Sequence, residues 1–84
     1  MNNYNAEIKI TLREGILDVQ GKTVEKALAS MELSAIGSIR IGKFVRLTVS
    51  AENIDTAKEL VNSACRQLIA NPIMEDFTID IKEA

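Results

Sequence analysis

The chain has 84 residues, with 10 basic and 12 acidic side chains, one cysteine and no histidine, for a net charge of −2. Its length predicts one domain over residues 1–84, one that buries only about 60% of the surface it exposes when unfolded. These totals exclude an internal disulfide and histidine-based catalysis. They also disfavour a phosphate-neutralising surface, so no nucleic-acid partner is expected.

Tyr4 to Leu12 alternates, with Tyr4, Ala6, Ile8, Ile10 and Leu12 on one side and Asn5, Glu7, Lys9 and Thr11 on the other. That is the period-two pattern of a strand with one buried face. Arg13 to Gly21 reads as a loop holding Gly15 and Gly21. Asp18 is placed to cap the next helix or to close a local side-chain turn. A helix is predicted over Lys22–Met31, because Val24, Ala27, Leu28 and Met31 fall at helical spacing. Gly37 breaks the connector that follows.

Ile39 to Val49 is the longest alternating, β-prone stretch. A hairpin turning at Gly42-Lys43 would put Arg46 on the face of Ile39 and turn Val45, Leu47 and Val49 away. One continuous strand keeps Ile39, Ile41, Val45, Leu47 and Val49 together, with a bend at Gly42. It would run roughly 35 Å at about 3.3 Å per residue, where strands commonly run about 17–20 Å. A second subunit is the expected partner for the surplus. Lys43 falls on the core side, so either the bend lifts it out or it lies beyond the helix-covered region, since an unpaired buried charge is costly. Phe44 falls on the polar face with Arg40, Arg46 and Thr48, as a contact with a neighbour or as an ordinary exposed aromatic.

Asn53 or Asp55 is placed to cap a second helix. Its inner stripe is Ala57, Leu60, Val61, Ala64 and Leu68, with Cys65 at the edge. Pro72 biases Asn71 away from helical angles, so this helix should end near Ala70. Met74–Lys82 alternates again, with Phe77, Ile79 and Ile81 inward. The expected fold is therefore α+β: a β-α-β-α-β arrangement, ferredoxin-like in character, with a long bent central strand, two helices on one sheet face, and oligomerisation through the sheet.

No catalytic set emerges. Cys65 reads as a small packed side chain, since buried cysteines are common and inert. Glu75 and Asp76 would point to opposite faces of a strand, so no metal is expected. Gly15 to Gly21 lacks the endings of phosphate-binding loops. Arg40, Lys43 and Arg46 suit an acidic partner surface or simply solvent. No apolar run approaches the roughly 20 residues of a membrane span, and the N-terminus lacks a signal-peptide layout, so a cytoplasmic location away from membranes is expected.

Several segments resemble one family. Leu17-Asp18-Val19-Gln20-Gly21, Val24 through Leu28, Ile39-Arg40-Ile41-Gly42-Lys43, Cys65 to Asn71, and Ile73-Met74-Glu75-Asp76-Phe77 together resemble the small PurS-type subunit of phosphoribosylformylglycinamidine synthase. The family usually has proline where Val19 stands, which loosens the loop. The resemblance implies a non-catalytic, assembly-promoting subunit of a glutamine- and ATP-dependent carbon–nitrogen ligase in purine biosynthesis. The implied partners are further copies of the chain, as a dimer or tetramer, and the glutaminase and synthetase subunits. ATP and Mg are used by the complex, and no cofactor is implied on this chain. The expected interface residues are Asp18, Gln20, Gly21, Arg40, Gly42, Lys43, Phe44 and Asn71. The alternative from the residues alone is a small-molecule-sensing regulatory α+β dimer module.

Overall fold

A computed structural model describes residues 1–84. The elements in order are β1 (Asn2–Leu12), α1 (Val19–Ser30), β2 (Lys43–Ala51), α2 (Ile54–Ala64), a π-helical turn (Cys65–Ile69) and β3 (Glu75–Glu83). The sheet order is β2-β1-β3, and β1 is antiparallel to both neighbours. In register, Ala6 lies between Leu47 and Ile81, and Ile8 between Val45 and Ile79. The alternation in each strand thus delivers one apolar face, and the α+β expectation is borne out.

Strand order dictates where each helix goes. Because both outer strands are antiparallel to β1, β2 and β3 run parallel to each other. A connection between parallel strands must cross a sheet face, usually as a helix. That connection is α2, which packs on all three strands. Ile8 and Ile10 of β1 are fully buried in one cluster with Val61 of α2 and Cys65 of the π turn, and Ala57 and Ala51 close a smaller cluster around Tyr4. Asn53 caps α2: its side chain accepts the Thr56 N–H at 2.8 Å. Asp55 lies in the first turn instead.

The connection from β1 to β2 obeys a different constraint. Antiparallel neighbours need no crossover, so residues 13–42 leave and rejoin the sheet at the same end. α1 lies in this excursion and makes no more than marginal contact with any strand. The expectation of both helices on one sheet face therefore holds, within one chain, for α2 alone. Val24 and Met31 of the α1 stripe stay exposed, and Gly21 is the only buried residue of the helix.

Three further boundaries differ from expectation. Regular pairing of β2 begins at Lys43, and Ile39–Gly42 leads into it as irregular chain without a hairpin. The long strand from Ile39 is thus corrected: Lys43–Ala51 pairs along its whole length with β1, so its length is satisfied inside the chain. Leu68 was expected inside but is 87% exposed. The π turn, closed by the Ala70 N–H on the Cys65 carbonyl at 2.9 Å, is wider than an α-turn. It rotates Leu68 outward and brings Ile69 and Ala70 against the core. Finally, α1 starts earlier than expected, at Val19, directly after its cap Asp18.

The result is an extended molecule, 53 × 26 × 14 Å, with only 11 of 84 residues buried. Its radius of gyration is 16.6 Å, against about 12 Å for a compact chain of this length. Its accessible surface is 6179 Å², roughly 1,200 Å² above the size trend for folded monomers. A standard protein–protein interface takes about 800 Å² from each partner. The surplus is of that order, and it sits on α1, the outer edge of β2 and the half-covered sheet face.

Candidate functional site

The residues singled out in the sequence, Phe44 apart, converge at the junction where residues 13–42 meet the end of the sheet. Asp18 is buried there. One carboxylate oxygen accepts the Gly21 N–H at 2.7 Å and so caps α1. The other accepts the Ile41 N–H at 2.6 Å. Glu25, two helical turns further on, accepts the Ile39 N–H at 3.0 Å and pairs with Lys22 at 3.2 Å. The two carboxylates of Asp18 and Glu25 thus tie Ile39 and Ile41 to α1 without a sheet.

Two glycines allow the approach. A β-carbon on Gly21 would lie 2.1 Å from the Ile39 carbonyl oxygen, and one on Gly42 would lie 2.4 Å from the Ile10 carbonyl oxygen. Both glycines were expected at an interface with another chain; the backbones they approach here belong to this same chain.

The guanidinium of Arg40 is turned toward the chain. Nη2 donates to the carbonyls of Leu12 at 2.9 Å and Arg13 at 3.0 Å, and Nη1 to that of Ile16 at 3.2 Å. Arg13 is itself bound to the opposite side: its N–H donates to the Met74 carbonyl at 2.9 Å, and its side chain reaches Asp76 at 3.4 Å and the Pro72 carbonyl. Lys43 lies past the helix-covered region, its side chain 60% exposed and its ammonium 3.3 Å from Glu75. That resolves how a cation sits on the core-side register. Asn71 accepts the Ile73 N–H at 3.0 Å in the turn before β3, and its own N–H donates to Glu75 at 2.7 Å. Gln20 is exposed on the first turn of α1. Phe44 is 54% exposed on the open face of the sheet, away from the junction.

The electrostatics follow from these contacts. The Asp18 carboxyl is held below its ordinary value by the Gly21 and Ile41 N–H groups, helped by the Arg40 charge. Glu25 is lowered by the Ile39 N–H and by Lys22, and Glu75 by the Asn71 N–H and by Lys43. Burial pushes the Cys65 thiol up, away from the reactive thiolate. Glu25 and Arg13 were not among the residues singled out in the sequence, and Glu75 was weighed there only as a metal ligand. Their partners are mostly backbone groups, and only the Lys22/Glu25 spacing offered a readable signal. No three acidic or thiol side chains converge into a metal-ligand set, so no step through a metal on this chain is derived. The arrangement is suited to fixing shape.

Comparison with known proteins agrees with that reading. The family model described as PurS, phosphoribosylformylglycinamidine (FGAM) synthase, matches residues 5–83. The Bacillus subtilis phosphoribosylformylglycinamidine synthase subunit PurS is 35% identical over 80 residues, covering 95% of this chain and 94% of its own. The crystal structure of Methanocaldococcus jannaschii PurS, one of the subunits of formylglycinamide ribonucleotide amidotransferase, superposes with a TM-score of 0.85 at 28% identity, over 96% of this chain and 98% of that one. A chain from the structure of PurLQS from Thermotoga maritima gives a TM-score of 0.85 at 31% identity, with both chains fully covered at 100%. The sensing-module alternative is not favoured. With the family model matching along nearly the whole chain and relatives and solved structures covered almost end to end, this protein belongs to the PurS family of phosphoribosylformylglycinamidine synthase subunits.

Proposed function

We propose that this chain is the assembly-promoting, non-catalytic subunit of a phosphoribosylformylglycinamidine synthase. In that complex a glutaminase subunit releases ammonia, and a synthetase subunit uses ATP and Mg to activate formylglycinamide ribonucleotide for amidination. The observation that carries the proposal is the full-length likeness to the chain in the Thermotoga maritima PurLQS structure. The fold supports it, since α1 and the outer edge of β2 are left uncovered in one chain. Further copies of the chain are the first occupants for those surfaces. An edge strand of nine residues without proline or bulge is a ready site for another chain.

The contribution to rate is positioning. Ammonia has to pass from the glutaminase to the synthetase without escaping or gaining a proton, and a shaped adaptor holds the two sites in register. Gln20, Lys43 and Phe44 are offered as contacts; Arg40 and Asn71, exposed as well, are engaged by this chain's own groups. Asp18, Gly21, Gly42 and Asn71 act by holding the shape that presents those contacts. The test is reconstitution of the three subunits with Gln20→Ala, Lys43→Ala and Phe44→Ala. The variants should stay folded and lose glutamine-dependent product formation by weakened co-assembly. Full activity and unchanged co-elution of all three would remove these residues from the interface.

A further inference from the structure

The excursion 13–42 is joined to the sheet at two adjacent points, Leu12 and Lys43, which is the layout of a hinge. Its interior is tied together: Asp18 grips Gly21 and Ile41, Glu25 grips Ile39, and Gly21 seats against the Ile39 carbonyl. α1 has no apolar packing against a strand that would hold its angle. Side chains tie the excursion to the sheet from two residues: Arg13 at its start, through Pro72, Glu75 and Asp76, and, on the returning arm, Arg40. Arg40 rides on the excursion beside Ile41, and it donates to Leu12, the last residue of β1, and to Arg13, which is anchored on the β3 side by Met74 and Asp76.

We propose that Arg40 is a positioning residue: its guanidinium sets the angle of α1 to the sheet, and through it the spacing of the surfaces that the chain presents to its partners. A guanidinium is suited to this because its planar fork of five N–H donors can serve several carbonyls at once, and its charge strengthens each bond. A lysine offers a point charge without the fork. Asp18 is the charged group nearest to it in effect, and it pulls the same way by holding Ile41. The link to partners rests on the assembly reading above; the angle itself does not.

The experiment measures the angle directly. Spin labels are placed at Ala29→Cys on α1 and Thr78→Cys on β3, both exposed positions, in a Cys65→Ala background. Labelled full-length chain is diluted with unlabelled chain, and the distance distribution is recorded by pulsed electron resonance. The expected result is one narrow distance with Arg40, a distribution at least twice as wide with Arg40→Ala, and an intermediate width with Arg40→Lys. Added methylguanidinium should narrow the Arg40→Ala distribution. If Arg40→Ala does not fold, Arg40→Gln carries the same comparison. Equal widths in the parent and the variants, narrow or broad, overturn the proposal. In the reconstituted complex, Arg40→Ala should lower glutamine-dependent turnover about tenfold while ammonia-dependent turnover is unchanged. If the parent chain fails to assemble, the functional reading fails and the distance result still stands.

Discussion

Gly21→Ala sets two physical effects against each other. Gly21 lies within the first turns of α1, where alanine is normally better than glycine by about 0.5–1 kcal/mol. By helix propensity alone the substitution stabilises. Yet the new β-carbon would lie 2.1 Å from the Ile39 carbonyl oxygen, and ordinary contact starts near 3.4 Å. The Ile39–Ile41 backbone therefore has to retreat by about 1.3 Å, which draws the Ile41 N–H off Asp18 and the Ile39 N–H off Glu25. Overpacking of this kind costs about 1–3 kcal/mol, so the clash wins by roughly 1–2 kcal/mol. The loss should be local to the excursion, because the apolar core lies under α2. Amide hydrogen exchange of α1 should accelerate by about 5–30-fold, the population change that such a free energy produces. Exchange in the middle of β1 should hardly move. Gly37→Ala is the control: its nearest neighbour would be Glu25 at 3.9 Å, so it should be neutral or stabilising by about 0.4–1 kcal/mol. If Gly21→Ala slows exchange in α1, the close approach of Ile39 to that helix is wrong.

Other outcomes follow from the same contacts. Ile8 is fully buried between Val45 and Ile79, so Ile8→Ala should lose about 2–5 kcal/mol in urea denaturation and leave the chain barely folded. Asp18, Glu25 and Glu75 all titrate below their ordinary values in the native chain. The unfolded chain therefore binds protons first on acidification. Stability should be level above about pH 5 and fall as pH drops through 4 and below, with no loss on the alkaline side from these groups. Cys65 is buried with its thiol pushed up, so a thiol reagent should modify it only as fast as the chain opens; immediate reaction in native buffer would contradict the core packing. Lys43→Met breaks an ion pair whose lysine side chain is mostly exposed, and it should change stability by no more than about 1 kcal/mol.

The strands were legible in the sequence because a period of two leaves little freedom: slipping by one residue would turn Ile8 and Ile10 out to water. Candidate caps and the end of helical backbone just before Pro72 were also readable, since Asp18, Asn53 and Pro72 act locally. The position of α1 was not. It depends on strand order, which is settled by long-range pairing of β1 with both β2 and β3, and nothing in Val24, Ala27, Leu28 or Met31 says which surface they face. Leu68 misled for a related reason: extrapolating 3.6 residues per turn past Cys65 ignores the wider turn that follows. At the junction, Gly21, Gly42 and Asp18 carried a readable signal of close approach and capping. Which backbone they meet did not, because a carboxylate that accepts an N–H has no sequence-encoded partner.

Assembly itself is the most direct test of the account. The chain is mixed with its glutaminase and synthetase subunits, with glutamine and nucleotide present, and the mixture is resolved by size-exclusion chromatography with light scattering while formylglycinamidine ribonucleotide is assayed. We expect all three chains in one peak, glutamine-dependent synthesis that disappears when this chain is omitted, and ammonia-dependent synthesis that survives its omission. Undiminished glutamine-dependent synthesis without this chain, or a chain that elutes apart from both subunits, would contradict it.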